Sequence, residues 1–204
     1  TDVTYPSMAG TSGPRDFIEL PSQLLEHWAS EPEVLKSFAK HYQTGETIPD
    51  ELIEKILKAS KFNQGFINTE YLAASLLDMD WHTISFEDPL KDSNTFEKKS
   101  MEKIGLIDEI APRYRSTYFA HIFSGGYSSG YYSYVHAAVL DSDGFEAFKE
   151  VGDVFDSELS TKLRKTIYER GATEEAMDLY INFRGRKPII APLLKVRGLD
   201  GSPD

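Results

Sequence analysis

Apolar residues recur along most of this chain at three- and four-residue intervals, while the alternation expected of a half-buried strand is nearly absent. The pattern predicts a mainly α, multi-helix protein with little or no sheet. Residues 1–15 hold Pro6, Gly10, Gly13 and Pro14 among Ser and Thr, and read as a loop. A first helix is expected around Pro21–Trp28. A second opens at Pro32, runs to about His41 and is closed by Gly45. Pro49-Asp50-Glu51 starts a third, with Leu52, Ile53, Ile56 and Leu57 on one face. A long helix follows through Tyr71, Leu72, Ser75, Leu76 and Met79. Residues 85–95 read as a loop, and Phe96 to about Ile104 as another helix. Further helices are expected over 128–140, 143–150, 157–170 and 173–183, with Gly171 and Gly185 as stops. Residues 188–199 form a short apolar tail, helical in part. No repeat, low-complexity tract or compositional break divides the chain.

Composition narrows the function classes. The 204 residues carry a formal net charge of −11, with 40% hydrophobic and 27% charged residues, as in an ordinary globular protein. A phosphate-neutralising surface needs clustered Lys and Arg, so no nucleic-acid partner is expected. The tight basic groups are Arg113/Arg115 and Arg184/Arg186/Lys187, the latter read as solvating a helix end. No apolar run approaches the roughly 20 residues that span a bilayer, so no membrane partner is expected either. The absence of cysteine removes disulfides, thiolate metal sites and cysteine nucleophiles. Acidic charge without cysteine fits the cytoplasm; a periplasmic protein would have the same composition.

The chemistry-bearing stretch is His121-Ile122-Phe123-Ser124-Gly125-Gly126-Tyr127 and the tyrosines behind it. Four of the eleven tyrosines fall within residues 127–134. Tyr127, Tyr131 and Tyr134 stand at i, i+4 and i+7, one face if the segment is helical. Two readings stand side by side. The aromatics are core, or three phenol donors behind a Gly-Gly hinge grip a carbonyl or a developing oxyanion. Ring hydroxyls need partners when buried, which favours the second.

Asp16, Glu19 and Glu26 would likewise share a helix face, either as a solvated acidic stripe or as a metal ligand with supporting carboxylates. A catalytic zinc needs three protein ligands and an open position. The five histidines, at 27, 41, 82, 121 and 136, include no i, i+4 pair, so H-E-x-x-H is absent. His27, His41, His82 and His136 read as surface or satisfied core residues, and Trp28 and Trp81 as packing residues.

Two segments carry a resemblance. Ser12-Gly13-Pro14-Arg15-Asp16-Phe17-Ile18-Glu19-Leu20-Pro21-Ser22-Gln23 is similar to the segment of thimet-oligopeptidase-type (M3) metallopeptidases that supplies the third zinc ligand. The run from Pro112 through Arg113, Arg115 and His121 to Tyr127 resembles the same family's substrate loop, in wording nearest the bacterial peptidyl-dipeptidase Dcp branch. Pro192-Leu193-Leu194-Lys195-Val196-Arg197-Gly198-Leu199 resembles that branch's ending. The likeness spans essentially the whole chain.

The resemblance implies the C-terminal part of a zincin-type catalytic domain over 1–204, with the family's H-E-F-G-H helix upstream of Thr1. That portion of the same peptidase is then an expected partner. It implies zinc as cofactor, Glu19 as metal ligand with Asp16 and Glu26 in support, and peptides as substrates, releasing C-terminal dipeptides. It implies His121, Tyr127 and Tyr134 as catalytic and oxyanion-binding residues. Tyr131, Gly125 and Gly126 would bind substrate, and Arg113 or Arg115 would meet a terminal carboxylate. Where the family reads Tyr-Leu-Trp-x-Glu, this chain has Tyr134-Val135-His136-Ala137-Ala138, which puts substrate preference in question. The 204 residues alone are expected neither to hold zinc tightly nor to hydrolyse peptides. The rival from another class is a non-catalytic helical module with a tyrosine-lined peptide groove.

Overall fold

Prolines and capping aspartates set the starts of the helices in a computed structural model that describes residues 1–89 and 92–201. Part of the loop expected over 85–95 thus lies outside the described residues. In chain order the helices are α1 (Leu20–Ser30), α2 (Pro32–Phe38), α3 (Asp50–Ser60), α4 (Gln64–His82), α5 (Ser93–Lys103), α6 (Ala120–Phe123), α7 (Ser133–Val151), α8 (Ser157–Leu163), α9 (Ala176–Arg184) and α10 (Ala191–Val196). Proline occupies the first turn of α1, α2 and α10, where its missing N–H has no intrahelical partner to lose. Asp92 caps α5 by accepting the Thr95 N–H at 2.8 Å, and Asp156 caps α8 through the Leu159 N–H at 2.7 Å. Gly185, at φ +80°, ends α9 and returns its N–H to the Ile181 carbonyl at 2.7 Å. The mainly α expectation holds, with no sheet among the described residues.

Four local expectations are corrected. Helix α2 stops at Phe38 rather than near His41, because residues 40–47 fold back into an isolated antiparallel bridge between Lys40 and Thr47. Helix α7 runs unbroken through Gly144. A Cβ there would meet Leu24 and Phe183 at 3.6–3.7 Å, ordinary van der Waals contact, so the position lies against the core without interrupting the helix. The helix expected from residue 128 begins only at Ser133. Of the predicted α3 face only Ile53 is buried; Leu52, Ile56 and Leu57 are exposed.

The chain forms two compact units, Thr1–Phe62 with Val135–Asp204, and Asn63–Tyr134. In the first, α1, α7, α8 and α9 surround a core of Leu20, Leu24, Leu140, Phe148, Leu179 and Phe183. Trp28 packs edge-on to Phe145 and Phe148 and donates its indole N–H to the Val154 carbonyl at 2.8 Å, as a packing tryptophan should. In the second unit, Ala73 and Leu77 of α4 meet Met101 of α5, while Ala74 meets Phe119, Ile122 and Tyr131. Trp81 tilts against Phe96 with ring centroids 4.0 Å apart.

The Arg184/Arg186 group does not solvate a helix end. Asp143, fully buried on α7, receives Arg186 at 2.6 Å and the Tyr180 hydroxyl at 2.6 Å, while Arg184 also clamps Glu150. Arg186 donates to both carboxylate oxygens, while Arg184 donates to the Asp143 main-chain carbonyl at 3.0 Å and stands 3.5 Å from the carboxylate. Asp143→Ala leaves Arg186 and the Tyr180 hydroxyl without their acid partner while Arg184 keeps Glu150, and the chain is expected to lose about 1–3 kcal/mol, read from its denaturant midpoint. Tyr168 is different: its hydroxyl is buried with no hydrogen-bond partner among the described residues. Burial pushes its phenol up from 10.0 to about 12. Its contribution to stability is present below pH 10 and declines as pH rises through about 12, because the unfolded phenol ionises first. Tyr168→Phe should flatten that alkaline loss in the same melts and leave stability at pH 7 equal or higher.

Candidate active site

The loop ahead of α7 builds an aromatic cluster within the second unit. Tyr127 and Tyr134 stack with centroids 5.2 Å apart, and the His121 ring stands 5.9 Å from Tyr127 and 6.2 Å from Tyr134. All three are half-buried, so each keeps a face toward solvent. The i, i+4, i+7 spacing brings the rings together, but not by the route expected. Residues 127–132 form a turn in which Gly130 N–H bonds the Tyr127 carbonyl at 2.8 Å and Ser129 takes φ +54°. Tyr134 lies in the first turn of α7.

Tyr131 sits deeper, 3% exposed, against Phe119 at 4.9 Å and Tyr71 at 5.0 Å. Burial pushes its phenol up to about 12, opposed by the Arg113 guanidinium beside it. The ring is thus a core element as well as a neighbour of His121, 5.6 Å away. The core and site readings of the tyrosines therefore divide by residue: Tyr131 packs, and Tyr127 and Tyr134 remain accessible.

The Gly-Gly pair has two separate causes. A Cβ on Gly125 would stand 3.0 Å from the His121 Cα and carbonyl oxygen, so any side chain there requires the His121 backbone to give way by a few tenths of an ångström. Gly126 sits at φ +79°, the left-handed region. Both arginines already have carboxylate partners: Arg113 pairs with Glu70 at 3.2 Å, and Arg115 with the buried Glu97. Glu97 also accepts the Ser116 N–H at 2.7 Å, so Arg115 helps neutralise a buried carboxylate that holds the main chain at Ser116.

In the first unit, α1 begins one residue after Glu19, which occupies the N-cap position. The Glu19 carboxylate is half-buried and accepts the Ser22 hydroxyl at 3.1 Å. Asp16 precedes the helix, so the single-face stripe of Asp16, Glu19 and Glu26 is not formed; Glu26 is exposed on α1. The Asp16 carbonyl oxygen instead lies 3.0 Å from Nδ1 of His136. His27 is tied to Asp141 at 2.6 Å and stacked on Phe145, a satisfied histidine. Among the described residues no group of three or more His, Asp or Glu is placed to hold a metal ion.

Sequence reasoning passed over Tyr71 and Asp78 on α4. Asp78 is fully buried beneath the tyrosine loop, and Tyr71 bonds that loop's backbone. The available signal was an acid at i+7 from a tyrosine on the apolar face that carries Ala74.

Comparison with known proteins agrees with the motif resemblance. The model of Peptidase family M3 matches residues 1–199. A dipeptidyl carboxypeptidase of Escherichia coli (strain K12) is 44% identical over 197 residues, covering 96% of this chain and 29% of the relative. Oligopeptidase A of the same strain is 36% identical over 207 residues, covering 98% of this chain and 30% of the relative. Saccharolysin of Saccharomyces cerevisiae is 33% identical over 191 residues, 92% of this chain and 26% of that protein. The chain thus spans less than a third of the length of these relatives. No helix among the described residues is long and apolar enough to cross a membrane. With a family model covering nearly its whole length, the chain belongs to peptidase family M3.

Proposed function

We propose that this chain is the C-terminal part of a zinc-dependent peptidase that hydrolyses short peptides and releases C-terminal dipeptides. The single observation that supports it most is the cluster of His121 from α6, Tyr127 from the loop and Tyr134 from the first turn of α7, three half-buried donors brought together. The 44% identity to a dipeptidyl carboxypeptidase supports dipeptide release over general oligopeptide cleavage.

Glu19 fits one position of a zinc site. Its carboxylate is half-exposed at the head of α1, and the Ser22 hydroxyl donates to one of its oxygens, a contact that orients the group. Imidazole ligands would come from the H-E-x-x-H segment, which the resemblance places upstream. Bound zinc supplies a Lewis acid and an activated water. The phenols supply what a metal cannot, directional hydrogen bonds to the oxygen that gains charge as a scissile carbonyl becomes tetrahedral. Tyr134, at the start of a long helix, is the most firmly held donor, with His121 and Tyr127 beside it. Tyr131 acts from the interior by supporting His121 and Tyr134. Gly125 and Gly126 expose the loop backbone to a peptide. Since Arg113 and Arg115 are paired, binding a terminal carboxylate would require either to share or exchange its acid partner.

The N-terminal portion of the same peptidase is the partner this reading requires. Leu72, Leu76 and Met79 form an i, i+4, i+7 stripe on α4 that is 39–47% exposed, an apolar surface suited to cover by further chain.

Two outcomes test the reading in the full-length protein. Glu19→Gln should lower zinc content below the roughly one ion per chain expected of a catalytic site; unchanged stoichiometry by metal analysis removes Glu19 from the ligand set. Tyr134→Phe should reduce kcat with a standard peptide about 10²- to 10³-fold, the effect of losing one oxyanion donor. Wild-type kcat in that variant would remove Tyr134 from the chemistry.

A further inference from the structure

The loop that presents the phenols is not helical, so its backbone N–H groups need partners from elsewhere. Helix α4 provides them. Asp78, 0% exposed, accepts the Ser129 N–H on Oδ1 at 3.0 Å and the Tyr131 N–H on Oδ2 at 2.9 Å. Nδ1 of His82, one turn further along α4, lies 2.8 Å from the same Oδ1. Two turns in the other direction, the Tyr71 hydroxyl donates to the Tyr131 carbonyl oxygen at 2.5 Å. Tyr71, Ala74 and Asp78 share a face, and Ala74, fully buried, is small enough to admit the loop between the two polar side chains. Ser129 is held at φ +54°, a conformation that a non-glycine residue adopts only when its surroundings favour it, and its N–H points at the carboxylate.

We propose that Asp78, assisted by Tyr71, is a positioning residue of the reaction: it fixes the backbone of residues 129–131 and through it the placement of the Tyr127 and Tyr134 hydroxyls. Neither residue needs to touch substrate. The Asp78 carboxylate and the Tyr71 hydroxyl both meet the loop's main chain, and among the loop's own side chains Ser128 adds a bond to the Ile122 carbonyl at 2.6 Å. A displacement of about 1 Å in catalytic groups lowers rate about 100-fold, which makes such an anchor consequential. The inference rests on the function proposed above for those phenols.

The experiment uses the full-length peptidase and reads two quantities. In Asp78→Asn one accepting oxygen remains, in Asp78→Leu none, and Tyr71→Phe removes a single hydroxyl from a ring that keeps its packing. Hydrogen exchange of the peptide spanning 127–134 should rise in all three. At equal zinc content, kcat should fall about 100-fold in Asp78→Leu. It should fall less in Asp78→Asn, and about fivefold in Tyr71→Phe, the equivalent of one neutral hydrogen bond. KM should change less than kcat throughout, because the loss is of transition-state contacts. Unchanged exchange in Tyr71→Phe and Asp78→Asn overturns the anchor. Faster exchange with wild-type kcat overturns its role in positioning, as does a loss of activity that merely follows lost zinc or lost folded protein. If Asp78→Leu does not fold, the other two variants decide. If the wild-type peptidase cleaves no peptide, the functional reading fails, and the exchange measurement still judges the anchor.

Discussion

A carboxylate with no contact with water must receive its hydrogen bonds from the protein, and at Asp78 that requirement shapes the chemistry-bearing loop. Both oxygens are used by main-chain N–H groups two residues apart. Two such donors can converge on one carboxylate only if the chain between them turns, and Ser129 at φ +54° makes that turn. With Ser129 in the left-handed region, the chain at 129–131 is a turn rather than a helix. The turn closes at Gly130, α7 starts at Ser133, and His121 approaches the phenols beside it. Gly125 removes the one side chain that would push against the His121 backbone.

The same device recurs within each unit with different partners. Glu97 accepts a main-chain N–H from Ser116 and an arginine; Asp143 accepts a tyrosine hydroxyl and two arginines. In each case one acid on a helix face collects groups from a segment distant in sequence. Apolar contact fills these cores, yet many apolar arrangements would bury similar area. The buried acids admit few, because any shift leaves a charge unpaired at a penalty of several kcal/mol. They act as registry points between helices and the loops they carry.

Helix starts and stops were legible because proline and glycine act locally: Pro32, Pro49 and Gly185 each mark an end through their own backbone. The motif around Glu19 and the run from His121 to Tyr127 were legible as a family resemblance, and the Peptidase family M3 model matches both within residues 1–199. The tyrosine turn misled for a definable reason. A turn that reverses the chain can bring residues four and seven apart together as a helix does, and periodicity does not separate the two cases. What separates them is Asp78, some fifty residues earlier, whose effect on residues 129–131 is wholly tertiary. Arg184 and Arg186 misled in the same way, since their partner Asp143 lies about forty residues upstream and a basic cluster by itself looks like surface.

The departure from the family wording after Tyr134 gains a physical account from the first unit. His136 stands where the family pattern has Trp, and its Nδ1 lies 3.0 Å from the Asp16 carbonyl oxygen, three residues before Glu19. An imidazole there ties α7 to the turn that delivers Glu19 to the head of α1, a polar link in place of a larger apolar ring. Ala138 stands where the pattern has Glu, and it is 4% exposed. A carboxylate at that depth would need partners of its own, as Asp143 needs Arg184 and Arg186 one turn beyond it. With alanine the need disappears, and the helix packs through a methyl group instead. The His136 link reaches the turn that precedes Glu19, whereas at Ala138 the change removes a buried charge from the helix, so the two departures act on the packing of α7 and on the entry to α1.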